Sequence, residues 1–344
     1  MSWFNQADKR RPGFKLVLFA CGLAVIVLGL GAFTRLANAG LGCPDWPGCY
    51  GHALWPNEHH EIARANEAFP DAPVELDKTW PEMVHRYFAG SLILVTLALI
   101  AIALKHRDKP AQPLKLPIAI FLLILLQAAF GMWTVTLKLW PQVVTSHLLG
   151  GFAMLSLLWL LMLRLNNDHW RVGDRELARI GKLRGWAVLG LIVVVLQISL
   201  GGWTTSNYAA VACPDFPTCR DQWLPAMDLA HGFNIFQHVG PNYLGGKLED
   251  EGRIAIHFMH RVGAIVTALY LLWLASRLIA TGVAAPKRMA GIILAIVALQ
   301  IGLGISNVVF HFPLGVAVAH NLIGAVLLLA LVTLNHRVFT AQPL

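Results

Sequence analysis

The sequence predicts an all-α integral membrane protein whose eight transmembrane helices form two pseudo-twofold-related four-helix bundles. Three observations predict it. Of 344 residues, 56% are hydrophobic and only 13% charged, where a soluble domain carries about 25% charged residues. The mean hydropathy of +0.59 agrees. Eight apolar stretches reach the ~20 residues that cross a bilayer, and landmarks of the first half recur in the second at near-constant spacing.

The stretches are roughly 16–36, 83–104, 116–137, 145–163, 186–205, 254–276, 289–309 and 316–335. The first runs into Arg35 and a long polar loop rather than an A-x-A cleavage site, so it reads as a retained helix and not a signal peptide. Long loops at 37–80 and 206–252 follow the first helix of each half, and their Pro, Gly, Asp and Asn content argues for turns. Residues 58–67 read as a short helix within the first of them. A basic segment at 164–185 joins the halves, which gives a first unit over 1–165, a linker over 166–185 and a second unit over 186–344.

Basic residues orient the chain. With both termini inside, inner segments hold 18 of the 27 Lys and Arg but five of the 19 Asp and Glu. This is the positive-inside pattern, and it predicts a multi-pass protein of the inner membrane with cytoplasmic termini and the long loops on the periplasmic side. The net charge of +8 thus reflects topology and is no argument for nucleic acid.

The repeat is visible residue by residue. Cys43-Pro-Asp-Trp-Pro-Gly-Cys49 matches Cys213-Pro-Asp-Phe-Pro-Thr-Cys219 at an offset of 170. His85-Arg86 matches His260-Arg261 at 175, while Gln127-x-x-x-Gly131 and His147 match Gln300-x-x-x-Gly304 and His320 at 173. Four helices per unit give both halves the same orientation, as parallel repeats about an axis along the membrane normal. The four loop cysteines fall in an oxidising compartment and read as disulfides Cys43–Cys49 and Cys213–Cys219. The second reads as a structural staple; the first reads equally as a staple or a redox relay. Cys21, inside the first helix, reads as a small apolar filler.

His85 and His147 lie at one depth, just inside the outer ends of their helices, and His260 and His320 repeat them. Ionisable groups at membrane depth are costly and mark function. Neutral imidazole is a standard axial ligand of haem iron, and bundle cores commonly build cofactor sites from facing helices. Each half thus offers two ligands to a haem. Zinc fits less well, because no further ligands stand at zinc-like spacing. Arg35, Arg86 and Arg261 sit where haem propionates would need partners, or where interfacial arginines snorkel. Glycines 29, 31, 131, 150, 151, 201, 202, 302 and 304 admit either close helix packing or a flat macrocycle. Glu82 breaks the symmetry: it shares a helical face with His85, whereas the place before His260 holds His257. Beside a haem edge Glu82 suits a general base or a stabiliser of positive charge. Following Pro81 at the first helical position, it also suits a first-turn carboxylate favoured by the helix dipole. His52, His59, His60, His231, His238 and His311 read as surface or helix-end histidines.

Glu82-x-x-His85-Arg86, His257-x-x-His260-Arg261, His147, His320 and the paired Cys loops together resemble the haem A synthase family. The resemblance covers about residues 15–337. It implies oxidation of the C8 methyl of haem O to a formyl group by two successive hydroxylations, supplying haem A to terminal oxidases. It implies His85 and His147 as ligands of the substrate haem O, Glu82 as the catalytic carboxylate, and His260 and His320 as ligands of a haem b cofactor. It further implies haem O synthase and the oxidase assembly machinery as partners, an electron acceptor not identified, and the surrounding lipid; a homo-oligomer is compatible. The rival from another class is a non-enzymatic di-haem b-type electron carrier, which gives no reason for the Glu82/His257 difference.

Overall fold

The computed structural model describes residues 10–344; Asp8 and Lys9 of the inner N-terminal segment, and the start of the 1–165 unit, lie outside them. Eight long apolar helices dominate: α1 (Phe14–Leu36), α3 (Leu76–Lys105), α4 (Lys115–Thr136), α5 (Pro141–Asn166), α7 (Arg184–Ser206), α9 (Asp250–Ile279), α10 (Ala284–Val309) and α11 (Leu314–Phe339). Three shorter helices, α2 (His59–Ala68), α6 (Asp174–Gly181) and α8 (Leu229–Gly232), lie in the connections. The expected 58–67 helix is α2, closed at its start by reciprocal hydrogen bonds between Glu58 and Glu61.

Two helices begin well before their apolar stretch. α3 starts at Leu76 and α9 at Asp250, because their first turns stand outside the apolar layer and hydropathy does not register them. This overturns one reading of Glu82. Pro81 is inside α3, not at its first position, and the first-turn carboxylate is Asp77. Dipole stabilisation fades beyond the first turn, so it does not explain Glu82.

In the first half α1, α3, α4 and α5 close a ring of neighbours, and α7, α9, α10 and α11 close another. The rings meet through α1 against α11, α5 against α7 and α5 against α11. Exchanging the halves returns the same set of contacts. α5 and α11 are central: 50% and 39% of their apolar windows are buried, against 22–28% elsewhere. Leu155, Leu158, Leu161 and Leu165 of α5 pack in one core with Leu331 and Leu334 of α11. Leu94, Leu122, Ile265 and Leu269 instead face outward, as lipid-facing side chains do. Cys21 is buried in α1 as a free thiol.

The duplication extends to unusual backbone. Lys138-Leu139 and His311-Phe312, following α4 and α10, all have positive φ, as do Tyr50-Gly51 and, in the second half, Arg220-Asp221. Left-handed φ at an apolar Leu or Phe is uncommon; finding it twice at the same offset marks a turn inherited with the repeat. The basic connection is more ordered than a linker: it holds α6 and a strand β1 (Arg171–Val172) that pairs in parallel with β2 (Gln342–Pro343).

Candidate functional site

The four histidines line one cavity of about 1460 Å³ that both halves enclose. Pockets for drug-sized ligands span roughly 300–1,000 Å³, so this one has room for more than one large ligand. The rings of His85 on α3 and His147 on α5 stand 6.4 Å apart between centroids at 90°. Two imidazoles on opposite faces of one metal, each at about 2 Å, place their centroids roughly 6 Å apart. The donor set and its spacing therefore fit a haem iron between them. His85 Nδ1 lies 3.1 Å from the Val27 carbonyl, an outer contact that fixes the ring and leaves Nε2 for a metal.

Small residues make the room. A Cβ on Gly31 would stand 2.9 Å from His85 Cε1, on Gly201 3.2 Å from His260 Cε1, on Gly304 3.2 Å from His320 Cε1 and on Gly131 3.6 Å from His147 Cε1. One glycine thus faces each histidine from the neighbouring helix. Gly151 and Gly202 meet Leu28 and Thr145 instead, which is helix packing, and Gly302 meets nothing.

Three glutamines accompany those glycines, one turn away on α4, α7 and α10. Gln197 Nε2 stands 3.1 Å from His260 Nδ1 and donates to the His260 carbonyl at 3.0 Å. Gln300 Nε2 lies 3.3 Å from His320 Nε2, and Gln127 fills a notch at Gly150 on His147's helix. The sequence signal is Gln-x-x-x-Gly, which occurs at 127/131, 197/201 and 300/304. Only the His85 support lacks it, for Val27 stands in that place.

Glu82 is 5% exposed, one turn before His85. Its Oε1 is 2.5 Å from Arg86 Nη2, and its Oε2 accepts the Cys43 backbone N–H at 3.0 Å. The buried Glu82 carboxyl is thus held in a fixed orientation by a guanidinium and a backbone N–H. Arg86 also donates to the carbonyls of Asp45, Pro47 and Gly48, so it pins the Cys loop to α3. Arg261 does the same in the second half, donating to the carbonyls of Cys213, Asp215 and Thr218, with Nε 3.3 Å from His257 Nε2. Arg35 donates to the Thr205 carbonyl at 2.6 Å and lies over the Tyr208 ring, while its buried Nε has no partner. All three arginines line the cavity.

Both disulfides are formed, Cys43–Cys49 and Cys213–Cys219. What distinguishes the loops is how closely they approach the histidine helix. A Cβ on Gly42 would lie 2.3 Å from the Lys78 carbonyl oxygen, which is backbone and cannot swing aside. Glycine there lets Cys43 come within reach of Glu82. The matching position is Ala212, and no Cys213 N–H bond to His257 accompanies it. The outer histidines 52, 59, 60, 231, 238 and 311 do not line the cavity, and His52 and His60 sit beside Glu61 and Glu58.

Residues 14–332 match the COX15-CtaA family, described as cytochrome oxidase assembly protein. A heme A synthase of Shewanella oneidensis is 48% identical over 312 residues, covering 91% of this chain and 92% of that protein. Heme A synthases of Rhizorhabdus wittichii and Caulobacter vibrioides are each 26% identical, over 93% and 97% of this chain and 92% and 97% of their own lengths. With a match that runs nearly end to end and a relative this similar, the chain belongs to the COX15-CtaA family of cytochrome oxidase assembly proteins.

Proposed function

We propose that this chain is a haem A synthase, an oxidoreductase that converts the C8 methyl of haem O to a formyl group by two successive hydroxylations. The observation that carries the assignment of the reacting half is Glu82, a buried carboxylate beside His85 that has His257 as its counterpart in the other half. In this reading His85 and His147 hold haem O, and His260 and His320 hold a haem b that accepts and passes on electrons. Gly31 and Gly131 admit the macrocycle between α3 and α5. Arg35 supports a propionate through its free Nε, with Arg86 and Arg261 as the further propionate partners at the cavity wall.

Removing two electrons and a proton from a methyl on a conjugated ring, the electrons passing to the acceptor, would leave positive charge on that carbon, open to attack by water. The Glu82 carboxylate stabilises that charge, or takes the proton of the attacking water, and Arg86 and the Cys43 N–H hold it aimed. The Cys43–Cys49 loop forms part of the same site through these bonds.

In this reading both termini lie in the cytoplasm, which the positive-inside bias supports. The haem sites and Cys loops then lie toward the periplasmic face of the inner membrane, and a pseudo-twofold axis passes between α5 and α11. Haem O synthase supplies the substrate and oxidase assembly takes the product.

The test is Glu82→Ala expressed with haem O synthase, followed by extraction and mass identification of the haems. We expect haem b to be retained and haem O to accumulate, with haem A reduced at least tenfold. Undiminished haem A would remove Glu82 from the mechanism. Haem b alone in the unaltered protein would favour an electron carrier.

A further inference from the structure

A second cavity, of about 420 Å³, opens at the opposite end of the molecule, where the described chain begins and ends. Its wall draws on both halves: Arg11 before α1, Leu160 and Arg164 at the end of α5, Asn167 and His169 after it, and Asn335, His336 and Phe339 at the end of α11. No carboxylate lines it among the described residues. Asp168, the nearest in sequence, is turned to Arg337 at 2.7 Å.

The simplest explanation of these basic side chains is that they cap helix C-termini, where carbonyls are left without partners. Arg11 does this: its backbone N–H bonds the Leu165 carbonyl at 2.9 Å, and its guanidinium reaches the Ala111 carbonyl and Asn167. The others are not spent in this way. Arg164 is exposed, with no side-chain hydrogen bond or ion pair among the described residues. His336 is only 8% exposed, yet its Nε2 is buried and unpartnered, and the buried Nδ1 of His169 is unpartnered too. The two rings stand 6.3 Å apart. A buried polar atom without a partner is costly, so the site is shaped for a polar ligand that accepts from Arg164 and His336 and offers a hydroxyl to His169 Nδ1, whose ring donates through Nε2 toward Asn167 Oδ1. Phe339, half exposed on the same wall, adds an apolar contact at the ends of the membrane helices.

We propose that this cavity binds the phosphate of an anionic phospholipid, with the phosphate received by Arg164 and His336, a headgroup hydroxyl by His169 Nδ1, and the first acyl carbons against Phe339 and Leu160. Basic pockets between membrane helices are the usual receptors for such headgroups. Because the wall comes from both bundles, the lipid braces their ends against each other. The site is remote from the haem cavity and does not depend on what that cavity does.

The test uses the full-length protein, purified in detergent and stripped of lipid. Melting is followed with phosphatidylglycerol, phosphatidylcholine or inorganic phosphate added. We expect phosphatidylglycerol alone to raise Tm by roughly 2–4 °C, as a bound ligand does at saturation. The double variant Arg164→Gln/His169→Gln should lose at least tenfold in phosphatidylglycerol affinity, and the control Arg107→Gln, an exposed cation at the same end, should lose none. If the double variant is unstable, the three-ligand comparison on the unaltered protein decides alone. Equal stabilisation by phosphatidylcholine, the same effect from inorganic phosphate, or undiminished binding in a folded double variant would each overturn the proposal.

Discussion

At the scale of single residues, the proposed function rests on where the two halves differ. Gly42 has Ala212 as its counterpart, Val27 has Gln197 and Glu82 has His257. Replacing Gly42 by Ala puts a Cβ against the Lys78 carbonyl and forces the Cys loop off α3. The cost of such overpacking is about 1–3 kcal/mol, and the Cys43 N–H leaves Glu82. Gly42→Ala should therefore lower both Tm and haem A yield, while Gly302→Ala, with nothing near its Cβ, should change neither. Thermal melts and haem extraction on the two variants check this. The four histidines, Glu82 and both cysteine pairs were legible in the sequence because each is a chemically distinctive residue on a repeat offset. Gly42 and Gln197 were not, because a glycine in a loop and an amide in a helix carry no signal until a neighbouring chain segment shows what they touch.

At the scale of elements, the two Cys loops are held by their aspartates. The Asp215 carboxylate accepts from the Thr218 hydroxyl and from the backbone N–H groups of Arg220 and Asp221. Partial desolvation pushes its pKa up, but these bonds outweigh it and hold it at about 2. The ordinary value is near 3.9. A carboxyl depressed in the folded state contributes stability above its unfolded pKa and loses it as pH falls toward 2. The 213–221 loop should keep its backbone protection at pH 5 and lose it progressively below about pH 4, which hydrogen exchange of the Arg220 and Asp221 amides reads directly. The long helices were legible from hydropathy, although the ends of α3 and α9 were not, since helical turns beyond the apolar layer are polar. The eight residues of α6 escaped notice for a related reason: a short amphipathic helix in a basic segment resembles a solvated linker.

At the scale of the molecule, the halves are joined mainly by apolar surface, through α5 against α11, α5 against α7 and α1 against α11. A chain cut within 173–183 should still assemble when its two pieces are expressed together. Co-purification of the tagged first piece with the second in near-equal amount checks this, and recovery of the first alone would show that covalent connection is required. The eight-helix plan followed from composition and repeat; the cavity shared by all four histidines did not, because no periodicity reveals which helices of one half lie against the other. The bond from Cys43 N–H to Glu82 carries the last consequence. The carboxylate is seated by a loop closed jointly by the Cys43–Cys49 disulfide, the Asp45 carboxylate and Arg86, so leaving the two thiols reduced should loosen the hold on Glu82. A cell defective in thiol oxidation should then respire poorly through haem A oxidases even with normal levels of this polypeptide, its supply of haem halted one step short.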